Sequence, residues 1–589
     1  MSTLIKTEFH THNAKQFVES FDEAANSIYY VFTTTGPGSN STPDSSITNS
    51  HYQVWDEMTF GKHVTPTDAV HMIRKVDWAN NSAYVAYDDQ NASLIGTNYF
   101  TVTSEGSNYH VWKCIANNQS SGNSISKPLY SDVSSSLNTL YIKAADGYQW
   151  RFMYTISSAN YTKFTSGGYI SYHAHTNAST NAISGSIDSY IVTGSGNNYN
   201  EFCNGTFTTV SNSTTSVINS ANFTLSANND FYNNCAIYIK SGTGAGQLRK
   251  ISDYTASTKT VVIDTAWTTN PVTADSVFEI TPSITIKGDG TTAATARAMV
   301  QTSTNTIANV EVITRGAGYT YADITIEANN MNSANLAVIR SPISPPGGHG
   351  SNPINELESK HVGISVEFAN TEANNISTDN SFSQIGLIKD PLYANVQLTG
   401  TVSGSWTDGE QITQANTSAY GYVISSNSSA VLVANVYGKF VVGNTTNNAN
   451  VSGADSSATM NVSSFYVNTS EAGRSSFDTF DQRYVFTQNT TSVSTFQEDE
   501  KIVQADTNAN ATVFFANSSE VSVTSLKGAF NIGTDNVVTG QTTSNTSKLT
   551  AQTNPDLVRN AGDILYLNNI DAVSRSNTTT ETVRLVITF

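Results

Sequence analysis

The strongest constraint on the fold of this chain is a tandem repeat in its last third. Between about 397 and 552, the stretch 406–414 matches 496–504 position by position, and the register holds to Gly443 and Gly533. Apolar residues alternate within each copy, while Gly, Asn and Ser mark the turns, a pattern typical of short antiparallel strands. The repeat predicts two copies of one small β-barrel or β-sandwich. The matched pairs include Trp406/Phe496, Glu410/Glu500, Ile412/Ile502, Gln414/Gln504 and Thr417/Thr507.

Residues 176–354 show the same β texture without an obvious repeat. Short strands recur between Gly, Asn and Ser turns, and 236–240 and 247–252 form a predicted hairpin around a glycine-rich turn. Two other stretches combine a strand, a glycine turn and a tyrosine, Tyr199 or Tyr319, which we expect to pack back on its sheet. The length of 589 residues suits about three to five domains of this kind.

Helical patterns are confined to the first 175 residues. Asn13 is the predicted N-cap of a short helix with Phe17 and Phe21 on one face, and Thr65 followed by proline is predicted to begin another helix that runs through Ile73. The predicted fold class is mainly β: an α+β core with few short helices, in several domains, with small β-sandwich or β-barrel insertions. Strands are predicted at 27–32, 99–102, 109–112 and 147–154, and a loop at 36–50.

The composition indicates a folded chain and limits the kinds of molecule that it could bind. Hydrophobic residues make up 38% and aromatic residues 10% of the chain, which favours packed cores over disorder. Lys and Arg number 29 against 47 Asp and Glu, a net charge of −18, and the basic residues are scattered. Nucleic-acid binding needs clustered Lys and Arg, so the sequence predicts no nucleic-acid partner.

Export and membrane signals are also lacking in the sequence. The chain has no run of about 18 apolar residues and does not start with a basic stretch followed by an apolar one, so neither a membrane span nor a signal peptide is predicted. Cys114, Cys203 and Cys235 are far apart and odd in number. We interpret them as free thiols of a protein made in a reducing compartment.

Candidate catalytic and metal-binding residues are few, and each has a simpler structural interpretation. His173 and His175 would place two imidazoles on one strand face, but no third ligand follows in the sequence. The glycines of 242–246 superficially resemble a dinucleotide-binding loop, although they lie inside a hairpin pattern. The stretch 345–350 is interpreted as a rigid connector, and the acidic run 498–500 as a solvated turn. The sequence therefore predicts no catalytic, cofactor or metal site.

A series of segments, taken in chain order, carries a resemblance to a known family. Among them are Tyr109-His-Val-Trp112-Lys-Cys114 and the closing run that starts at Val583. In this order they resemble the baseplate wedge protein of T-even-like contractile-tailed phages, the gene eight product type. The segments are 7–21, 28–32, 52–58, 68–78, 109–114, 146–152, 382–392, 561–569 and 583–589.

The resemblance implies a structural subunit of a virion tail baseplate, assembled in the host cytoplasm. Such a subunit would form a homodimer, bind other baseplate wedge and tail proteins, build the tail tip and relay its rearrangement on infection. It implies no catalytic residue. The resemblance covers the predicted core, 1–175, 355–396 and 554–589, whereas 176–354 and 397–553 are interpreted as insertions.

Two other functions stay open at this stage. One is a receptor-binding tail fibre or carbohydrate-binding adhesin, and the other is a polysaccharide-degrading tail enzyme. The insertion interpretation also makes a structural prediction: Pro391-Leu392 and Asn554-Pro555 should lie close together, and removal of 397–552 should leave the core intact.

Overall fold

The computed structural model is mainly β, with 47% strand and 9% helix, which confirms the predicted fold class. The residues that it leaves undescribed are 1–5, 24–26, 38–46, 134–139, 200–202, 222, 302, 328–334, 371–379, 444–448, 469–473, 491–494 and 534–536.

The helices are short and the strands are many. The α-helices of the described residues are α1 (Thr7–Ser20), α2 (Ile47–Glu57), α3 (Ser158–Phe164), α4 (Thr176–Thr180) and α5 (Pro353–Glu356), with single 3-10 turns at Pro66–Asp68, Asn118–Ser120 and Tyr130–Asp132. The strands up to residue 200 are β1 (Tyr29–Thr34), β2 (Met58–His63), β3 (Ala69–Arg74), β4 (Phe100–Glu105), β5 (Asn108–Asn117), β6 (Tyr141–Lys143), β7 (Tyr148–Ile156), β8 (Tyr169–Ser171) and β9 (Ile191–Gly194). Those from 203 to 340 are β10 (Cys203–Val210), β11 (Thr215–Asn219), β12 (Ala236–Ser241), β13 (Leu248–Thr255), β14 (Thr260–Ile263), β15 (Val277–Thr281), β16 (Ser283–Gly288), β17 (Thr295–Gln301), β18 (Thr306–Thr314), β19 (Ala322–Glu327) and β20 (Val338–Arg340).

The remaining strands follow residue 360. They are β21 (His361–Phe368), β22 (Asn380–Lys389), β23 (Tyr393–Thr399), β24 (Val402–Ser403), β25 (Gln411–Gln414), β26 (Ala419–Ser426), β27 (Ala430–Tyr437), β28 (Asn450–Gly453), β29 (Thr459–Asn461), β30 (Ser464–Val467), β31 (Thr479–Asp481), β32 (Tyr484–Thr490), β33 (Lys501–Gln504), β34 (Asn510–Ala516), β35 (Glu520–Lys527), β36 (Val537–Gly540), β37 (Thr546–Thr553), β38 (Asp563–Arg575) and β39 (Glu581–Thr588).

Three of the sequence-based helix predictions are wrong in detail. Asn13 lies inside α1 and does not cap it, although the rings of Phe17 and Phe21 do meet, with centroids 5.0 Å apart. Thr65 caps a single 3-10 turn, after which the chain becomes β3, whose residues 69 and 71–73 are all buried. The predicted loop ends in α2, which begins at Ile47, and α4 and α5 lie beyond the first 175 residues.

The described chain divides into two compact units. The first unit contains 1–11 and 72–360, and the second contains 12–71 and 361–589. The stretch 1–175, which the sequence suggested is one core segment, therefore contributes to both units.

In the first unit, a four-stranded sheet ordered β4-β5-β7-β6 carries a core rich in aromatic residues, with Trp112 and Trp150 fully buried. Strands β10 to β15 close into a six-stranded barrel with its own core, and the predicted hairpin forms its β12 and β13. Tyr199 and Tyr319 are both buried in a further cluster, as predicted, and each hydroxyl accepts a backbone N–H, from Ala337 and Ala294 respectively.

In the second unit, a five-stranded sheet has the order β31-β2-β1-β22-β38, and β21 pairs with β39 along eight residues. Strands β23 to β30 form the first repeat module, an eight-stranded sheet, and β32 to β37 form the second module, a closed six-stranded barrel. The second module is thus a small β-barrel of the kind that the repeat predicts, whereas the first is an eight-stranded antiparallel sheet.

The two repeat modules differ in how they join the rest of the second unit. The second module has a core of its own, made only of residues between Phe486 and Leu549. The core of the first module is continuous with the five-stranded sheet, because Tyr393, Phe477 and Phe480 pack in one cluster with residues of β1. The two modules are thus not equally separable, and the expectation that 397–552 can be removed as one piece changes accordingly.

The chain ends that flank the repeat do lie side by side, as predicted. The backbone N–H of Val558 donates to the carbonyl of Leu392 at 2.8 Å, and that of Ala394 donates to the carbonyl of Asp556 at 2.6 Å. The predicted boundary at 396/397, however, falls inside β23, which pairs with β27 and β30 of the first module.

The barrel of β10 to β15 proves to be a third copy of the same design. Its strands are ordered β11-β14-β13-β12-β15-β10 around the ring, and those of the second module are ordered β32-β35-β34-β33-β36-β37. We call the barrel of β10 to β15 the early barrel. Its order coincides with that of the second module if β11 is counted as its first strand and β10 as its last. The early barrel is therefore a circular permutant of the repeat module.

One turn forms the same pair of backbone hydrogen bonds in all three copies. In each, a residue with positive φ just before a strand donates its N–H to a carbonyl of the neighbouring strand: Gly409 to Val423, Asp499 to Val513, and Asn234 to Ile251, at 2.8–2.9 Å. Gly, Asp and Asn are the residues that most readily adopt this left-handed conformation. The next residue along then accepts the return hydrogen bond in all three.

Candidate functional site

The residues that the sequence singled out are mostly engaged in local structure. His173 contacts Ser171 Oγ at 2.9 Å, whereas His175 caps α4 by accepting the N–H of Ala178. The two imidazoles therefore serve different neighbours, and among the described residues no three His, Cys, Asp or Glu side chains converge in a way that could hold a metal ion. The glycines of 242–246 form the β12–β13 turn, with no helix after them.

The acidic run 498–500 contains one buried carboxylate, contrary to its interpretation as a solvated turn. Glu500 is 3% exposed and accepts the N–H groups of Gln497, Thr542 and Thr543 at 2.7–3.1 Å. The hydroxyl of Thr543 also donates to it at 2.9 Å. This carboxylate therefore ties two loops of the second module together.

Glu410 makes the same set of contacts in the first module. It is 2% exposed and accepts the N–H groups of Thr407, Asp455 and Ser456 at 2.6–3.0 Å. The repeated Gln414 and Gln504 are also fully buried, and each forms hydrogen bonds with backbone groups of its own module. The polar residues shared by the two repeats are thus structural.

We expect Glu500→Gln to lower the free energy of unfolding of the second module by about 1–3 kcal/mol, because an amide NH₂ would face backbone donors. Burial alone would raise the pKa of Glu500, but hydrogen bonds led by that from the Thr543 backbone outweigh it and hold the pKa below its ordinary value. The carboxylate thus stabilises the fold fully above the unfolded pKa near 4.3, and this contribution is lost as pH falls through the folded pKa.

The measurement is urea unfolding of the wild type and the variant between pH 3 and 7. Glu498→Gln is the matched control, because it removes the same charge from an exposed side chain two residues away. Equal losses in the two variants, or an unchanged acid dependence in Glu500→Gln, would show that the buried contacts contribute nothing.

The loop 345–350 brings a histidine into the most buried ionic cluster of the first unit. His349 is 2% exposed, and its Nδ1 lies 3.0 Å from Lys113 Nζ and 3.1 Å from Glu356 Oε2. Lys113 Nζ also contacts Glu356 Oε2 at 2.9 Å, and these two side chains are 1% and 5% exposed. The loop is therefore more than a connector, because its own side chain completes a buried Lys–His–Glu group.

The protonation states of this group follow from its burial. Burial raises the pKa of Glu356, but the Lys113 ammonium more than compensates and holds that pKa at about 2. Burial, and then Lys113, lower the pKa of His349, so the imidazole is neutral at pH 7. The Nδ1 atom of this neutral ring faces both Lys113 Nζ and Glu356 Oε2, and its Nε2 faces Asp188 Oδ2 at 3.9 Å.

A second layer of the cluster surrounds Tyr141. The guanidinium groups of Arg315 and Arg151 lie over its ring, 3.9 and 4.9 Å from the centroid. Arg315 Nε is 2.9 Å from Asp188 Oδ1, and Arg151 donates to the carbonyl oxygen of His349 at 3.1 Å. Burial, and then Asp188, raise the pKa of Tyr141, so its ring is neutral.

A cavity of about 700 Å³ lies next to this cluster, in the first unit. Arg315 lines it with a side chain that is 22% exposed, together with the amides of Gln149 and Asn309. Lys143 stands at the same cavity, but it is paired with Glu311 at 2.8 Å. The cavity therefore has polar walls and one arginine of the cluster in its lining.

Sequence reasoning did not single out Lys113, Arg151, Asp188, Arg315 or Glu356. Two of them left a signal, because Lys113 and Arg151 interrupt otherwise apolar strands, where a charge has to find a buried partner. Their partners come from segments far along the chain, such as Glu356 in α5, and no local pattern identifies those.

Comparison with known proteins gives no family for the chain: no protein-family model matches it, and no curated protein matches its sequence. None of the described helices is long and apolar enough to span a membrane.

Proposed function

We propose that this chain is a structural subunit of a phage contractile-tail baseplate wedge, which forms a homodimer and binds other wedge and tail proteins. The observation that supports this most is the pairing of the segments that carry the family resemblance. The segments 28–32, 382–392 and 561–569 are hundreds of residues apart, yet they supply β1, β22 and β38, which are neighbours in one sheet. Segments that are distant in sequence but adjacent in one sheet can belong to a single domain, so their shared resemblance supports a common wedge-protein core.

Two modules lie outside the segments that resemble the wedge protein, and their structure also supports the proposal. The second module and the early barrel are closed rings with cores of their own, and in each the two chain ends are paired: Val485 with Thr553, and Cys203 with Ile280. Domains with adjacent ends can be inserted into a surface loop without disturbing the framework. The chain thus has the organisation expected of a wedge-protein core that carries insertions.

The sheet edge formed by β38 is the surface that best suits a homodimer. Among the described strands, β38 pairs on one side only, with β22, and it is 13 residues long. Leu565 on this strand is 48% exposed. An edge of this length leaves a row of backbone donors and acceptors that a second strand can pair with.

A receptor-binding or carbohydrate-binding adhesin is the second candidate, and one observation favours it. Tyr422 and Ile424 are 41% and 46% exposed on the outer side of β26. The equivalent of Ile424 in the second module, Phe514, is buried against the core of the second unit. The first module therefore presents an apolar surface that its sister module keeps covered.

The experiment that separates the two candidates locates the protein in a phage particle. We expect antibodies raised against the purified chain to label the tail tip in electron micrographs, and the purified chain to have the mass of a dimer. Label on distal fibres, together with inhibition of phage adsorption by the free protein, would replace the wedge proposal with the adhesin. A monomer would refute the proposed homodimer.

A further inference from the structure

The described strands of the first repeat module contain no charged residue. None of β23 to β30 includes Asp, Glu, Lys, Arg or His, whereas the strands of the second module include four charged residues, Lys501, Glu520, Lys527 and Lys548. A charged ligand on such a surface would lose its water without gaining a partner of opposite sign. The sheet of the first module therefore favours an uncharged ligand, although the whole chain has a net charge of −18.

Four neighbouring positions on the outer face of this sheet distinguish it from the second module. Residues 419, 421 and 423 of β26 are buried, so 420 and 422 lie on the outer face. The first module has Gln411, Tyr420, Tyr422 and Tyr437 at the four positions, and we call them the tyrosine face. The repeat places Lys501, Asn510, Thr512 and Lys527 there in the second module. Both sets form the same two cross-strand pairs, so the positions are structurally equivalent.

The tyrosine rings hold one another in place. Those of Tyr420 and Tyr437 are stacked, with centroids 5.4 Å apart, and the Tyr422 ring meets that of Tyr420 edge-on at 6.4 Å. The Tyr437 hydroxyl also donates to Asp390 Oδ1 at 3.2 Å. Tyr422 is nevertheless 41% exposed, so a ring with a fixed neighbour faces solvent. A side chain that is already ordered loses little conformational freedom when a ligand binds.

Hydrogen-bonding groups lie beside these rings. The Gln411 amide and the hydroxyls of Tyr420 and Tyr422 have no hydrogen-bond partner among the described residues. Gln411 is directly opposite Tyr422 on the neighbouring strand, so its amide and the aromatic ring can contact one ligand. An amide donates two hydrogen bonds and its oxygen accepts two, and each tyrosine hydroxyl does both.

The size of the surface suits a small ligand better than a protein. Tyr422 and Ile424 are the strongly exposed large apolar side chains of the module's described strands. A stable protein interface instead buries about 800 Å² and roughly 20–30 residues on each partner. A sugar ring has the matching chemistry, because its C–H groups form an apolar face and its hydroxyls form a polar rim. The aromatic rings suit the first and the Gln411 amide suits the second.

We propose that the tyrosine face binds a neutral saccharide, with one sugar ring against Tyr422 and its hydroxyls bonded to Gln411 and the tyrosine hydroxyls. This assigns a ligand to the exposed surface of the adhesin candidate. It does not depend on either proposed function, since a wedge subunit can display the same face.

The test uses the full chain and isothermal titration with three neutral hexasaccharides, made of glucose, galactose or mannose. At least one of them should bind, and its affinity should stay within about twofold between low and high salt, because no charge takes part. This measurement needs no variant, so it holds whatever a substitution does to folding. No heat of binding from any of the three at about 10 mM, or an affinity that falls steeply with salt, would overturn the proposal.

Two variants place the ligand on the tyrosine face. Tyr422→Thr introduces the residue that the second module has at this position, and it should weaken binding roughly tenfold with little change in the unfolding temperature. Gln411→Met keeps the length of the side chain but removes the amide, and it should weaken binding severalfold. Tyr321→Thr is the matched control, because it makes the same change at a tyrosine that is 56% exposed in the first unit. Unchanged binding by Tyr422→Thr, or an equal loss in the control, would refute the assignment.

The same variant separates a saccharide from a protein partner. We expect Tyr422→Thr to lose saccharide binding and to keep the mass of the wild type. A wild type that binds none of the hexasaccharides, with a dimer that Tyr422→Thr abolishes, would make this face a protein contact and the saccharide proposal wrong. Failure to bind saccharide leaves the wedge proposal standing, because the mass of the chain and its place in the tail test that separately.

Discussion

Removal of Val583 to Phe589 should leave a chain that does not fold to a native second unit. This segment supplies most of β39, which pairs with β21 over its whole length. Val583 and Leu585 are 7% and 2% exposed, Ile587 packs against the same core, and the Phe589 ring lies 5.3 Å from that of Phe17. Burial of each such side chain contributes roughly 1.5–3 kcal/mol, and a whole domain has a net stability of about 5–15 kcal/mol.

The matched deletion removes ten times as many residues and should be tolerated. It takes out the second module, 484–553, and joins Arg483 to Asn554 through a short glycine-serine linker. The backbone on either side is already held together, because Asp556 N–H donates to the carbonyl of Asp481 at 2.9 Å. The module also carries its own core, so its loss takes few side chains from the rest of the unit.

Solubility, near-ultraviolet circular dichroism and the thermal unfolding of both deletions give the comparison. A folded, cooperative protein without β39, or an aggregated one without the second module, would contradict these expectations. Removal of 397–552 should fail as well, since it cuts β23 and takes Phe477 and Phe480 out of the shared core.

Lys113→Met should lower the free energy of unfolding of the first unit by about 3–5 kcal/mol. The substitution keeps the length of the apolar stem but leaves the Glu356 carboxylate buried without its ammonium, and an unpaired buried charge is costly. Urea unfolding monitored by tryptophan fluorescence reports on this unit, because Trp112 and Trp150 lie in its core.

Two controls assign the loss to the uncompensated charge. Lys143→Met removes a lysine that is 59% exposed from its pair with Glu311, and it should cost less than about 1 kcal/mol. In the double variant Lys113→Met/Glu356→Gln, the charge is gone but an oxygen is left for the N–H of Gly350, so more than half of the lost stability should return. A double variant as unstable as the single one would mean that packing, not charge, was lost.

The parts of the fold that could be predicted from the sequence are those fixed by neighbouring residues. The strands that become β4 and β5, and the hairpin of β12 with β13, were predicted, because alternation and turn residues specify each within about 20 positions. The helix expected through Ile73 was wrong, since strand pairing with β8 and burial of 71–73 within the fold outweighed a good N-cap. Tertiary context overrides local propensity in such cases.

The early barrel and the ionic cluster lay beyond local reasoning for two different reasons. The early barrel has the same aromatic-to-turn spacing as the repeats, with Phe231, Asn234 and Ile237 in place of Phe496, Asp499 and Ile502, but its permuted strand order hides the match. The cluster joins groups such as Lys113 and Glu356 that are brought together only by the tertiary fold. The repeat glutamates were visible as a shared pattern, yet their burial could not be predicted from the pattern alone.

The permuted ring of β10 to β15 has a consequence for how such proteins diversify. In a closed ring the neighbours of every strand are the same wherever the chain enters, so the entry point can move without any change in the packing inside. The second module is attached through β32 and β37, whereas the early barrel is attached through β10 and β15, which correspond to a different gap in the ring. When a barrel is connected to the rest of the chain through a different pair of neighbouring strands, a different set of its loops faces the solvent. A protein can therefore change which loops of a barrel it displays when the barrel is attached at another gap, before any residue of the barrel has mutated.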